Sequence, residues 1–501
     1  LANNTSQSAA NLGKNICDAY YEGCKYVETE QAATLSLVDL SKIGPMIKSW
    51  NTFGMYTLMK ASENDAFYAS IGRAASRSEN FSNSKSSGYS NMLDMGDFIS
   101  KVSKASQEHH PAAEKMQQYL EEAVLYQVSG PVHNASGLSC YYPYDADEQS
   151  YKLMLENGLV NSFILTYGLQ HGFIDGETAN SILEEITDDS DDELSGNYDE
   201  QTYDETTHYD EDSSASQSHE SSNAIDFIAG TVNSSVNSAL QALLEQKPKE
   251  NEDPIDFIHN LVENNVNVIA QSIAPMHKVD ISSLEDQKVE LVTDDEGAPA
   301  FEIKIEENSL KYIDSVRFYL ATLNENNDVT VFGDDIDLIQ DWDTGVFRDN
   351  FNGHWPSIDG HFEFLETTAD LEDYNYYSIP VILNGVRSTI EALYDFKQSK
   401  YVVLGARRIT QAGMPDKNLI KLKPGDKIVT LMHKMANHEE DTSEVEADSF
   451  TLSENWSLDD LALPDGKYAY MFSMSDIQGN EALSEVAFIN IQGDSINYDA
   501  P

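Results

Sequence analysis

From about residue 286 onward, the apolar residues of this chain recur at every second position. KVELV, FEIKI, VRFYLATL, DVTVF, HFEFLE, YSIPVIL, YVVLGARRI, KIVTLM and KYAYMFSM are short runs, β-branched or aromatic, separated by loops carrying Gly, Asp, Asn and Pro. Alternation of this kind turns one face of each run toward a core and the other toward solvent. Most of the runs have no helical pattern between them, so antiparallel pairing is expected. A β-sandwich-like region, as one sandwich or two small units, is predicted over 286–497. Asn384-Gly385 and the DGKY run at 465–468 are predicted hairpin turns.

Upstream the period is different. Residues 5–24 read as a helix capped by Thr5 or Ser6, with Ala9, Leu12, Ile16, Ala19 and Tyr20 at helical spacing. ATLSLVDL (33–40) reads as a buried strand, and Asp39 or Ser41 can cap the helix that follows. SGLSCYYPY (136–144) is a second strand, and DGETANSILEEI begins a further capped helix. Strand, capped helix and later strand form the pattern of an α/β layer with parallel strands, assigned to residues 1–187. Residues 188–222 hold 13 acidic residues and no Lys or Arg. Such a run buries too little apolar surface to offset its ordering entropy, and a disordered acidic linker is expected. Helical patterning returns over 223–285, where IDFI occurs at 225–228 and again at 255–258. Four shared residues of amphipathic pattern are weak support for a repeat.

The length of 501 residues suits about three domains. Charge is what departs from ordinary usage: 31 Lys and Arg against 86 Asp and Glu give −55. That field opposes nucleic-acid binding, which depends on clustered cations, and favours cationic partners and divalent metals. No run of about 18 apolar residues occurs, so no transmembrane helix is expected. The sequence opens at Leu1 with neither Met nor a signal segment, as expected of a fragment beginning inside a longer protein.

Candidate chemistry is sparse. Cys17, Cys24 and Cys140 are the only cysteines, too few for a disulfide framework. The first two share a helix and the third lies mid-strand in an apolar run, so packing is the expected role of each. His171-Gly172 follows a helix, where a loop or C-cap role is expected. No HExxH, GxxxxGK[ST], GxGxxG or GxSxG pattern occurs. The run GDDIDLIQDWDTG brings five Asp into residues 334–343 between Gly333 and Gly345. Asp341 and Asp343 are therefore candidate ligands for calcium, a possible cofactor, although the spacing is not that of an EF-hand loop.

Several segments together resemble the clostripain-like cysteine peptidases. The helix ending ICDAYYEG leads into ATLSLVDLSKI. NMLDMGDFISKV is similar to the family's Asp-Leu-x-Asp-Phe helix start, with Met95-Gly96 in the variable place, and SGLSCYYP to its late strand, with Cys140 where an aliphatic is usual. DTGVFRDNFNGHWPSIDGHF, YSIPVILNGVR, YVVLGARR and KLKPGDKIVTL extend the likeness into the β-rich part, so that it spans roughly 5–170 and 290–490. The resemblance implies the C-terminal part of a caspase-like α/β/α domain over 1–187, and hydrolysis of peptide or protein substrates after Arg or Lys. It also implies a secreted or cell-surface location. The family's His-Gly and Asp-x-Cys segments find no match here. By the order of the matched segments they would lie in a catalytic segment upstream, so no catalytic residue is carried over and the chain alone is expected to be inactive. The rival reading is a non-catalytic secreted binding protein whose β-rich part recognises a ligand.

Brief digestion with a protease specific for acidic residues is expected to cut first within 188–222 and leave two stable pieces. Early cleavage inside 1–187 or 290–490, with the acidic run spared, would overturn that boundary.

Overall fold

The computed structural model describes residues 7–188 and 239–499, except 28, 31–32, 82–91, 106–110, 131–134, 144–145, 250, 286, 294–298, 324–328, 371–373, 411–414, 417, 436–442 and 494. The first copy of IDFI and residues 189–222 of the acidic run lie outside the described residues, as do Thr5 and Ser6. The chain is a mixture of helices, concentrated before residue 285, and antiparallel sheets after it.

The first helix, Ala9–Tyr26, is capped by Ser8, whose hydroxyl accepts from the Asn11 amide at 3.2 Å. It lies against a two-stranded ladder of Thr34–Val38 and Val124–Ser129. A second ladder joins Met92–Asp94 to Ser139–Tyr141. Both are antiparallel, which corrects the expected parallel pairing, and the strands foreseen at 33–40 and 136–144 belong to different ladders. The reason lies in VLYQVS, an alternating run not recognised as a strand. It leaves the helix Pro111–Ala123 without a loop and takes the position beside Thr34–Val38.

Around these ladders the helices share one apolar interior. Ile43–Glu63 buries Trp50, Phe53, Leu58 and Met59, with Trp50 and Phe163 rings 4.5 Å apart and Phe98 5.2 Å from Phe163. Asp39 caps the short turn Leu40–Lys42 that precedes that helix, and Asp175 accepts from the Thr178 amide at the start of Gly176–Asp188. The second IDFI copy opens the helix Pro254–Asn264, capped by Asp253. Its buried Ile255, Ile258, Leu261 and Val262 face Ile43–Glu63 and Pro111–Ala123, so this part of the helical segment joins the first layer.

Among the described residues the β-rich part contains a twelve-stranded, a four-stranded and a three-stranded sheet, whose strand pairs are antiparallel. Along the main path of the long sheet, Lys400–Arg408, Val386–Asp395, Tyr374–Leu383, Lys427–Met435, Val329–Asp335, Ile313–Leu323, Gly466–Asp476, Ala487–Gln492 and Ser495–Asp499 follow in that order. Phe301 of the four-stranded sheet stacks on Tyr470 at 4.0 Å, and Phe318 lies 4.5 Å from the same ring. Asn384-Gly385 forms the expected tight turn, with φ of 51° and 81° between paired Leu383 and Val386. DGKY is a correction: the strands on either side of it pair with different neighbours. Asp465 instead accepts from the Gly493 amide at 2.7 Å, holding a separate turn. A turn dipeptide carries no information on which strands will be partners.

Helix and sheet meet where Asp65–Ser76 lies on the strand Ile313–Leu323. Arg73 donates to the carbonyls of Lys311 (3.2 Å) and Ile313 (2.9 Å). The turn after Gly466–Asp476 pushes into the helical layer. Gln478 donates to the carbonyls of Gln170 and His277, both at 3.0 Å, and accepts from the Val279 amide at 2.8 Å. Ile477 sits beside Gly72, where a Cβ would lie 1.6 Å from the isoleucine Cδ1 and 2.8 Å from Gln170 Nε2. One continuous apolar cluster therefore runs from Met46 to Ile491.

Two glycine substitutions should act in opposite directions in urea denaturation. Gly72→Ala should lose about 1–3 kcal/mol, because overpacking against buried Ile477 outweighs the helix-propensity gain. Gly23→Ala, with open space around it in the first helix, should gain up to about 1 kcal/mol.

Candidate functional site: a charged cavity between helices and sheet

A cavity of about 250 Å³ lies along this junction. Its walls come from the helix Asp65–Ser76, the end of Ser162–Gln170, the strand Ile313–Leu323 and the turn at 476–481. Strand alternation creates the polar side. Ile313, Phe318 and Leu320 are buried in the core, while Ser315, Arg317 and Tyr319 face the cavity together with Asp314, and the buried Val316 adds an apolar patch to its wall.

Arg317 makes an ion pair with Asp334 and also donates to the Thr367 carbonyl at 3.0 Å. Asp334 is 3% exposed, and that burial raises its carboxyl although the guanidinium pulls it down. Gly333 allows this approach: its φ is 146°, and a Cβ there would lie 2.0 Å from the Leu365 carbonyl oxygen. The close contact lets the Asp334 amide donate to that same carbonyl at 3.0 Å. Asp314 accepts from Ser76 at 3.0 Å. Burial raises its carboxyl, opposed by the serine hydrogen bond and by Arg77, Arg73 and Arg317. Arg77 donates to Gln340 at 3.3 Å with its guanidinium 4.6 Å from the Trp342 ring, while Trp342 donates to the same Gln340 oxygen at 3.0 Å.

The helical side is formed by Tyr142, Tyr167, Gln170 and His171. His171 is the C-cap of Ser162–Gln170, the role its position suggested. Its Nδ1 lies 3.0 Å from the Tyr167 carbonyl, so this nitrogen carries the proton and Nε2 is an acceptor. Burial lowers its pKa to about 4, which keeps the ring neutral near pH 7. Gln170 donates to the Tyr68 carbonyl at 3.2 Å. Its Oε1 and the hydroxyl of Tyr142 are buried without a protein hydrogen-bond partner.

The sequence alone does not single out these residues as a group. Its two usable signals are Arg73 and Arg77, four apart on a helix in a chain poor in cations, and the charged Asp314 and Arg317 within an otherwise apolar strand. Of the residues that it does single out, His171 and Asp334 line the cavity, and the cysteines, Asp341 and Asp343 lie elsewhere. Cys17 and Cys140 are buried and burial raises both thiols, whereas Cys24 is half-buried. None of the three lines the cavity. Asp341 and Asp343 stand in the turn before Val346–Asp349. There Asp341 Oδ1 accepts from the amides of Asp343 (3.0 Å) and Thr344 (3.1 Å), and the Thr344 hydrogen bond holds its carboxyl below the usual range. Asp335 accepts from the Asp337 amide at 2.9 Å, and Asp334 is paired with Arg317. Three of the five carboxylates are thus engaged in separate local contacts. Among the described residues no group of three or more His, Cys, Asp or Glu converges to hold a metal. Compared with known protein families and curated proteins, the chain matches none.

The depressed pKa of His171 gives a pH signature. Its stabilising effect is complete above the unfolded value of about 6.5 and is lost as pH falls toward 4, because the unfolded chain takes up the proton first. Between pH 7 and 5, wild type should therefore lose more unfolding free energy than His171→Gln. Equal losses in urea titrations would contradict a buried neutral ring.

Proposed function

We propose that this chain is the C-terminal part of a clostripain-like cysteine endopeptidase cleaving after Arg or Lys. Its nucleophile and histidine would be supplied by a segment outside these 501 residues. The observation that carries the reading is the ordered series ICDAYYEG, ATLSLVDLSKI, NMLDMGDFISKV and SGLSCYYP, with the likeness of the β-rich part behind it. In this reading 1–187 are the remainder of a caspase-like α/β/α domain and 286–497 a sandwich-like region of a secreted or cell-surface protein.

Two physical features support it. Each helical-layer ladder has only two strands among the described residues, and an isolated pair is marginal in water. Near the Thr34–Val38 ladder, Tyr26 and Leu40 are 89% and 81% exposed, and Ile16, Ile47 and Leu125 are exposed as well. A further strand laid on that ladder would pair open backbone groups and cover apolar surface. The second feature is the state of the thiols. A peptidase of this kind needs a thiolate to attack the carbonyl carbon, a histidine to pass the proton to the leaving amine, and backbone amides to hold the oxyanion. Burial raises Cys17 and Cys140 away from the thiolate form, and Cys24 lies on a helix without an Asp-x spacing before it. The chain's part is then scaffold and substrate surface, and its charge of −55 suits cationic substrates.

Release of a fluorophore from an Arg-linked peptide tests this. The chain alone should show no turnover, and adding the segment encoded immediately upstream, fused or separate, should produce it. Turnover by the chain alone that disappears in Cys17→Ala, Cys24→Ala or Cys140→Ala would make that cysteine the nucleophile and overturn the assignment.

A further inference from the structure

We propose that the cavity between helices and sheet binds a compact organic cation, a guanidinium or primary ammonium head group, through acceptors of Tyr142, Gln170, His171 and Asp314. This site is separate from the peptidase reading, because no thiol lines it.

The first observation is a hydrogen-bond imbalance. Tyr142 and Gln170 are each 0% exposed, and the Tyr142 hydroxyl and Gln170 Oε1 have no protein partner. Buried polar atoms left in that state cost free energy, and both residues line one cavity. His171 adds an Nε2 lone pair, since its Nδ1 proton is directed to the Tyr167 carbonyl. Asp314 receives one hydroxyl on Oδ1. A ligand meeting these atoms must bring donors.

The second observation is charge. The lining holds Asp314, Asp334, Glu366, Asp476 and Glu481 against Arg77 and Arg317, five carboxylates to two guanidiniums. Both guanidiniums already have protein acceptors, Gln340 for Arg77 and Asp334 with the Thr367 carbonyl for Arg317. Excess negative charge in a desolvated space attracts a cation and disfavours an anion. Burial raises Asp314, Asp334 and Asp476, even though hydrogen bonds and, for the first two, neighbouring guanidiniums oppose it.

The third is size. At about 30 Å³ per water, 250 Å³ admits roughly eight waters, or one planar head group with a short alkyl stem. Val316, Ile336 and Ile477 supply apolar wall for that stem. Of the lining residues Gly479 and Glu481 are exposed and Tyr142 and Gln170 buried, so a ligand entering from the exposed side would bring its charged end in first. The cation could be free, as in a polyamine, or the end of a basic side chain.

Calorimetric titration of the full chain with agmatine, at about 0.15 M salt, tests the site. Saturable binding is expected below about 10 mM, with no binding of tetramethylammonium, which has the charge but no N–H donor. Asp314→Asn keeps an acceptor for Ser76 and should weaken agmatine about tenfold, and Tyr142→Phe should weaken it less. A blocked Gly-Arg-Gly peptide binding equally well would identify side-chain cations as ligands, and agmatine alone would identify free ones. If a variant loses its near-UV circular dichroism, the agmatine and tetramethylammonium comparison on wild type decides. No saturable agmatine binding, equal binding of tetramethylammonium, or unchanged affinity in folded Asp314→Asn would overturn the proposal.

Discussion

Gly72 and Ile477 lock the two parts of this molecule together, and much of the rest depends on that contact. Gly72 leaves room on the helix Asp65–Ser76 for the side chain of Ile477, which a Cβ at this position would meet at 1.6 Å. Ile477 enters this space from a turn that Asp476 stiffens by accepting from Gln478 and Asn480. Gln478 then bridges three backbone groups of the helical layer. The contact is apolar at its centre and hydrogen-bonded at its rim. Beside it Arg317 pairs with Asp334, whose side chain is 5% exposed, so removing the arginine would leave a buried carboxylate without its partner.

Burial explains the electrostatics of the cavity. A surface carboxylate in so acidic a chain would be screened and hydrated, whereas Asp314 and Asp334 are held where burial opposes their charge. His171 is kept neutral by the same surroundings and so serves as an acceptor. A fold that gathers acceptors and excess negative charge into one enclosed space is suited to a cationic donor, independently of any peptidase chemistry.

Local structure was legible where one residue's chemistry suffices. Asp175 capping its helix, Asn384-Gly385 turning its hairpin, His171 closing a helix and the burial of Cys17 and Cys140 all follow from side-chain type and spacing. Pairing was less legible. VLYQVS displaced the expected parallel partner, and DGKY turned between strands belonging to different sheets, because register depends on residues far away in sequence. The cavity was hidden for the same reason. Gly72, Tyr142, Gln170, Asp314 and Asp334 come from five segments, and no local pattern joins them. The aspartates that did form a visible pattern, Asp341 and Asp343 among them, are held by their own turns.

The central claim is that helical layer and sheets form one cooperative unit. Equilibrium unfolding in urea should be followed at once by helical circular dichroism and by tryptophan fluorescence, since three of the four tryptophans, Trp342, Trp355 and Trp456, lie in the β-rich part. A single unit predicts coincident transitions, with Ile477→Ala moving both midpoints together. Two separated transitions, or a shift in only one of them, would contradict it.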